Sequence, residues 1–277
     1  MDNTSQIEYW NGPAGQKWVR DADRMDVMLS PFVDAIIASV VPRPGQSVID
    51  IGCGAGALSL NLSSSAVNVS VTGVDVSAPL IELAKKRSAA VGAGINFIVA
   101  DAAVWKAAEP VDLIISRFGV MFFSDPVAAF ANIRANLKPT GRMRFACWRP
   151  LQENAWALTP LTAAMHLLKT PPTPPPPETP GPFAFGDADY VRRILMGSGW
   201  SNITITPWDG DLALPGATAE EAAEFMLEMG PLSRAITEQG IDPAVVKGAV
   251  VAKLQALAGE DGRTRLKAAA WIVEAEA

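Results

Sequence analysis

Cysteine and histidine are scarce in this sequence, with two cysteines and one histidine among 277 residues. Cys53 and Cys147 do not have the spacing of metal ligands, and they suggest no disulfide framework. The sequence therefore predicts no metal site. Because disulfides persist mainly in oxidising compartments, the same scarcity favours a reducing, cytoplasmic location.

Long apolar runs and basic patches are also missing. No stretch approaches the roughly 18 uninterrupted apolar residues of a membrane span, and the opening MDNTSQIEYWNG lacks the basic and apolar regions of a signal peptide. The net charge of -6 opposes binding to the phosphate backbone of nucleic acids. We expect a small-molecule substrate, no nucleic-acid partner and no membrane span, in a monomer or a homodimer.

Strand and helix patterns alternate along most of the chain. The 49% of residues that are hydrophobic suffice for a large core. Strands separated by helices imply parallel pairing and right-handed crossovers, and we expect the last two strands to pair antiparallel. The predicted fold is α/β, a doubly wound, mostly parallel seven-stranded sheet of Rossmann-like type with N-terminal helices and a helical lid insertion. The predicted strands are residues 48–51, 69–76, 95–100, 111–116, 143–148, 201–208 and 266–275.

Proline and glycine punctuate these patterns. Pro31 is expected to open a new helix within a helical region at 5–41, and the turn 138–141 is expected to close a helix that ends at Leu137. Residues 170–182 hold eight of the 22 prolines, which predicts an extended spacer, a mobile lid segment or a ligand for a proline-binding module. The expected segments are a helical flap at 1–44, a cofactor-binding core at 45–150, a proline-rich lid insertion at 151–186, and the rest of the core at 187–277 with a helical insertion at about 211–262.

The stretch VIDIGCGAG at 48–56 is the candidate ligand-binding loop around which the other predicted elements are arranged. A short apolar strand runs into Gly52, Gly54 and Gly56, which allow a sharp bend and close approach of a ligand at a helix N-terminus. The pattern alone is ambiguous, because Gly52, Gly54 and Ala57 also fit a dinucleotide-binding fingerprint. The residues at the neighbouring strand ends are needed to decide which ligand the glycine loop binds.

Polar residues stand where four predicted strands end, which is where an open α/β sheet binds its ligand. Asp50 precedes the glycine loop and can hold its shape by accepting backbone N–H groups. Asp75 can accept both hydroxyls of a ribose, and Asp101 can meet an adenine amino group. The remaining candidates that line this crevice are Cys53, Val76, Ala102, Ala103, Ser116, Arg117 and Phe118.

This ordered set resembles the class I S-adenosylmethionine-dependent methyltransferases over about residues 45–148. DIGCGAG matches the family's acidic-x-Gly-x-Gly-x-Gly motif, and SRFGVMFFSDPVAAFANIRANLKPTGR is similar to the small-molecule branch related to quinone biosynthesis. The resemblance implies S-adenosylmethionine as cofactor, with ribose on Asp75, adenine against Val76 and Asp101, and Trp10 or Trp18 at the methionine end. The alternatives are an NAD(P)-dependent oxidoreductase and a non-catalytic protein that binds the same cofactor.

The predicted reaction is an in-line methyl transfer, which demands positioning and exclusion of water more than acid catalysis. A base is needed only for a protonated acceptor. His166, the sole histidine, is the candidate base, although a lone histidine is more often a surface or packed residue. Apolar side chains of the lid regions predict a pocket for an apolar or aromatic substrate, with packing as the alternative. These side chains are Trp148, Trp156, Leu158, Met165, Phe183, Phe185, Phe225 and Met226.

Overall fold

A computed structural model describes residues 3–65, 68–176 and 178–277. Its seven-stranded sheet has the order β3-β2-β1-β4-β5-β7-β6, with β1 to β5 parallel and β7 antiparallel to both neighbours. This topology confirms the predicted Rossmann-like fold class and the antiparallel final pair. The strands are β1 (Ser47–Ile51), β2 (Ser70–Asp75), β3 (Asn96–Val99), β4 (Val111–Arg117), β5 (Leu137–Trp148), β6 (Ser201–Ala213) and β7 (Arg265–Glu276).

Eleven α-helices lie within the described residues, and three of them precede the sheet. The helices are α1 (Thr4–Asn11), α2 (Pro13–Arg20), α3 (Ala22–Val40), α4 (Ala57–Ser65), α5 (Ala78–Val91), α6 (Pro126–Arg134), α7 (Ala155–Ala164), α8 (Ala188–Gly197), α9 (Ala219–Leu227), α10 (Gly230–Gln239) and α11 (Pro243–Gln255). None of the described helices combines the length and apolar character that crossing a membrane requires.

Burial along the central strand shows that the sheet is covered on both faces. Three successive residues of β4, Leu113, Ile114 and Ile115, are fully buried although their side chains alternate between faces. α3 packs against α4, β4, β5 and β6, while α6 packs against α8, which contacts β6. The carboxyl ends of the parallel strands are thereby held at one edge by a rigid core.

The prediction that Pro31 opens a helix is wrong, because α3 runs through it. Proline removes the N–H that would bond the carbonyl of Val27. The hydroxyl of Ser30 donates to that carbonyl instead, at 3.0 Å. The helical region is interrupted earlier, at Asp21, whose backbone leaves the helical conformation between α2 and α3.

Two further local predictions are corrected. The helix expected to reach Leu137 ends at Arg134, and residues 138–141 form an irregular stretch inside β5, where the register with β4 shifts. α10 lies within the region predicted as a helical insertion at about 211–262, and Pro231 occupies its first turn.

The proline-rich segment has no regular secondary structure from Pro171 to Pro176, and Pro177 lies outside the described residues. Both flanks are anchored. Backbone groups of Lys169 and Thr170 bond the side-chain amide of Gln239, and the N–H of Gly181 donates to the carbonyl of Met121 at 3.0 Å.

Candidate active site

The glycine loop bends sharply between β1 and α4. Gly52, Gly54 and Gly56 have φ values of +63°, +53° and +84°, which side chains other than glycine's rarely adopt. A Cβ on Gly52 would lie 2.6 Å from the Cα of Gly119, so these two loops touch backbone to backbone. A Cβ on Gly54 would meet no described atom within 4 Å. The loop is therefore packed at its base and open at Gly54.

Asp50 lies beneath this loop and is 1% exposed. Its Oδ2 accepts a hydrogen bond from the hydroxyl of Ser59 at 2.7 Å, while its Oδ1 has no hydrogen-bond partner among the described residues. Burial raises the pKa of Asp50 to about 7, although the bond from Ser59 and the charge of Arg117 both act to lower it. A carboxylate with a free buried oxygen is a site for a donor or a cation.

Asp75 ends β2 beside the loop. Its two oxygens accept the N–H groups of Gly54 and Ser77, both at 2.8 Å, and each oxygen retains acceptor capacity. Burial raises the pKa of Asp75, and these N–H groups partly offset the rise. The carbonyl of the next residue, Val76, accepts the side-chain amide of Asn11 at 2.8 Å.

Asp101 follows β3 at the same edge. Its Oδ1 accepts the N–H of Ala103 at 2.9 Å and the side-chain amide of Asn3 at 3.2 Å. Ala102 is buried, and its carbonyl accepts the amide of Asn132 at 3.0 Å. This turn is fixed from below by α6 and covered from above by the N-terminal segment.

Ser116 and Arg117 end β4. The Ser116 hydroxyl is used internally, because it donates to the carbonyl of Ile51 at 2.7 Å and accepts the N–H of Gly119 at 3.2 Å. Arg117 donates from Nη2 to Oδ1 of Asp26 at 3.1 Å, whereas its buried Nη1 lacks a partner in the described parts of the chain. Asp50 pairs with Ile115 in the sheet, so Arg117, two residues on, projects from the same face as Asp50.

An aromatic cluster begins at Phe118. This residue has φ of +61°, is 9% exposed, and stacks on Trp148 with ring centroids 4.1 Å apart and planes 8° apart. Phe32 contacts both rings edge-on, and Trp156 and then Phe183 extend the cluster away from the strand ends. A non-glycine residue in the left-handed region is a strained element of the kind found at binding sites.

The strand ends are covered by α1 and α2. None of the residues of α1 is buried, and Gly15 alone is buried in α2, in contrast to eight buried residues in α3. Polar contacts hold the cover in place, including the bond from the Ser77 hydroxyl to the carbonyl of Trp10 at 2.8 Å. Trp18 is half-buried and contacts Trp10 edge-on at 5.6 Å. This segment has the few buried contacts typical of a part that opens.

Comparison with known proteins agrees with this geometry. The methyltransferase domain family matches residues 48–141, from β1 into the irregular stretch of β5. This match covers about a third of the chain and includes the glycine loop and the acids at the strand ends. The family resemblance carried by the glycine loop and the acids at the strand ends is thereby confirmed.

Relatives of the methyltransferase domain match only part of the chain. An O-methyltransferase of Pyrenophora dematioidea is 29% identical over 143 residues, 50% of this chain and 51% of that protein. A ubiquinone biosynthesis O-methyltransferase of Coxiella burnetii is 31% identical over 134 residues, 47% of this chain and 56% of that protein. The chain thus spans about half the length of the curated relatives it matches.

A solved structure extends the likeness in fold to the whole chain. Magnesium protoporphyrin IX methyltransferase from Synechocystis PCC 6803, with bound SAH, has a TM-score of 0.58 at 18% identity, with 100% of both chains covered. At that identity the likeness establishes the fold alone.

Two of the predicted site residues lie apart from the others. The thiol of Cys53 packs beneath the loop with Phe97 and Ile81, so its backbone, not its side chain, faces the crevice. His166 is exposed in the turn after α7. His166 lies just beyond the carboxyl end of α7, and none of the hydrogen bonds of the described residues links it to the strand ends, which gives a role as base no support.

The sequence interpretation missed three residues that contact the candidate site. Asn3 and Asn11 bond the turns after β3 and β2, and Asp26 bonds Arg117. Asn11 is next to Trp10 in the predicted helical flap at 1–44, whereas nothing in the local pattern distinguishes Asp26 from an exposed acid of an amphipathic helix.

Proposed function

We propose that this protein is an S-adenosylmethionine-dependent methyltransferase that acts on a small apolar or aromatic molecule. The match to the methyltransferase domain family, the strand-end acids and the open glycine loop support this proposal. The proposed cofactor contacts are Asp50, Gly52, Cys53 (backbone), Gly54, Gly56, Asp75, Val76, Asp101, Ala102, Ala103, Arg117, Phe118 and Trp18. Ser116 supports the loops from within, because its hydroxyl bonds Ile51 and Gly119.

The strand ends fit the adenosine half of that cofactor. Asp75 retains acceptor capacity on both oxygens, which suits the two vicinal hydroxyls of a ribose. Asp101 offers an acceptor for the exocyclic amino group of adenine, next to the apolar surface of Val76 and Ala102. An NAD-type ligand requires an acid at the position of Asp75 but none at the position of Asp101.

The single observation that carries the proposal is the pair of unpartnered buried groups below the loop. Oδ1 of Asp50 is an acceptor and Nη1 of Arg117 is a donor, and neither has a partner within the described residues. An amino acid zwitterion presents the complementary ammonium and carboxylate groups. The methionine end of S-adenosylmethionine can therefore bond both atoms. The pyrophosphate of a dinucleotide would bond Arg117, but its negative charge would repel the carboxylate of Asp50 and leave Oδ1 without a donor.

When bound, the cofactor supplies an electrophilic methyl group on a sulfonium. The chain's own contribution is to fix the acceptor in line with that group and to keep water out. Phe118 and Trp148 form a rigid apolar wall at the ends of β4 and β5, and α1 and α2 cover the crevice. Since His166 is exposed in the turn after α7, we propose that the acceptor atom is a nucleophile that needs no base from this histidine.

The aromatic cluster supports an apolar, planar acceptor. Phe118, Trp148, Trp156 and Phe183 form a continuous series of ring contacts that starts at the strand ends. Flat rings offer large contact area to aromatic substrates. The Coxiella burnetii relative is described as acting in ubiquinone biosynthesis, which is consistent with such an acceptor. We also propose a cytoplasmic protein, on the basis of its two buried free cysteines.

Titration calorimetry with S-adenosylhomocysteine and, separately, with NAD tests this function. We expect binding of the first and none of the second, because only the first carries an amino acid zwitterion. Binding of NAD alone would favour an oxidoreductase. If S-adenosylhomocysteine binds, transfer of a labelled methyl group to phenolic and quinol acceptors distinguishes an enzyme from a non-catalytic binding protein.

A further inference from the structure

The strongest unexplained feature outside the strand ends is the carboxylate of Asp26 on α3. It bonds two arginines from different elements: Oδ1 accepts Nη2 of Arg117 at 3.1 Å, and Oδ2 accepts Nη1 of Arg87 at 2.8 Å. The same Nη1 donates to the carbonyl of Ala55 in the glycine loop at 3.2 Å. One carboxylate thus connects α3, α5, β4 and the loop.

We propose that Asp26 is a positioning residue of the cofactor site, which holds Arg117 ready for the carboxylate of the cofactor's amino acid end. This inference rests on the proposed function and adds a residue that contacts no part of the adenosine half. Asp26 acts through Arg117, while its second bond, from Arg87, fixes the carboxylate in place.

The position of Asp26 on α3 gives it the rigidity that this role requires. α3 buries eight residues, among them Met25 on one side of Asp26 and Met28 on the other. The side chain of Asp26 is 27% exposed and that of Arg117 is 12% exposed, so their bond is largely shielded from water. Charge-assisted hydrogen bonds in such surroundings fix geometry better than exposed ion pairs do.

The bond from Arg117 to Asp26 keeps Arg117 from bonding Asp50 instead. Asp50 has an unpartnered oxygen, projects from the same face of the sheet, and its ionisation responds to the charge of Arg117. Without the bond to Asp26, Arg117 can turn to Asp50. The donor and the acceptor meant for the ligand would then satisfy each other, and the cofactor would have to break that pair in order to bind.

The test is calorimetry on the full chain with two ligands. S-adenosylhomocysteine carries the amino acid end, whereas 5′-methylthioadenosine lacks it. For Asp26→Asn we expect affinity for S-adenosylhomocysteine to fall roughly 10- to 100-fold, as for loss of a charge-assisted hydrogen bond. Affinity for 5′-methylthioadenosine should stay within about 2-fold, because the adenosine contacts are untouched.

Asp23→Asn is the matched control. It makes the same charge change one turn earlier on α3, and Asp23 pairs with the same Arg87, but its side chain is 95% exposed and does not contact Arg117. We expect an effect under about 2-fold on either ligand. If Asp26→Asn does not fold, Asp26→Glu keeps the charge but displaces the carboxylate, and it should weaken S-adenosylhomocysteine alone.

A double variant shows whether Asp26 works through Arg117. In an Arg117→Gln background, Asp26→Asn should cause little further loss for S-adenosylhomocysteine. Equal loss of both ligands, or loss shared by Asp23→Asn, would mean general destabilisation and would overturn the inference. Wild-type protein that fails to bind S-adenosylhomocysteine would instead refute the proposed function.

Discussion

Cofactor affinity should depend on pH through Asp50. Burial raises the pKa of Asp50 to about 7 in the free protein, where its Oδ1 has no partner among the described residues. A ligand ammonium on that oxygen favours the ionised form, so binding must release a proton wherever Asp50 is protonated beforehand. For a pKa near 7 the protonated fraction is about nine-tenths at pH 6, one-half at pH 7 and one-tenth at pH 8.

These fractions set the size of the effect. If Asp50 is fully ionised in the complex, the dissociation constant of S-adenosylhomocysteine should fall about 10-fold from pH 6 to pH 8. Calorimetry at pH 7 in phosphate and in Tris should report release of about half a proton, because the two buffers take up protons with different heats. Asp50→Asn should abolish both effects. Equal affinity at pH 6 and pH 8, with no proton exchanged, would refute the assigned role of Asp50.

Three further variants test other parts of the site. Gly52→Ala and Gly54→Ala introduce a side chain at a similar positive φ, but the first also drives Cβ to 2.6 Å from Gly119 while the second meets open space. Thermal unfolding should therefore show that Gly52→Ala lowers the free energy of unfolding by about 1–3 kcal/mol more than Gly54→Ala does. Calorimetry should show that Gly54→Ala loses cofactor binding. Equal stability of the two variants would contradict the packing of the loop. Asp75→Ala should remove most cofactor affinity and lower unfolding free energy by about 1–3 kcal/mol, since two N–H groups lose their acceptor; unchanged calorimetric affinity would contradict the ribose contact. His166→Ala should leave kcat for methyl transfer within about 2-fold, because His166 is exposed in the turn after α7 and bonds none of the strand-end residues; a loss of 100-fold or more would restore it as a base.

The sheet was predictable because its signals are local. β-branched and apolar runs bounded by turns identify strands wherever the whole run is buried, as at Leu113 to Ile115. The errors fall where a proline was interpreted from its intrinsic preference. Pro31 is accommodated because Ser30 bonds the freed carbonyl of Val27, and that compensation depends on a specific side-chain rotamer.

The candidate site was predictable at the strand ends and not beyond them. Asp50 lies near the end of β1, Asp75 ends β2 and Asp101 follows β3, so topology alone brings them to one edge. Asp26 reaches Arg117 across 91 positions of sequence, and a contact of that separation has no local pattern. The unpartnered atoms of Asp50 and Arg117 could likewise be found only once burial was known.

A crystal structure of the complex with S-adenosylhomocysteine tests the central claim most directly. The ribose hydroxyls should lie within ~3 Å of the Asp75 carboxylate, with the ligand's ammonium on Asp50 and its carboxylate on Nη1 of Arg117. A ligand bound elsewhere, or an Asp50 and Arg117 that bond each other beneath a bound cofactor, would contradict the account.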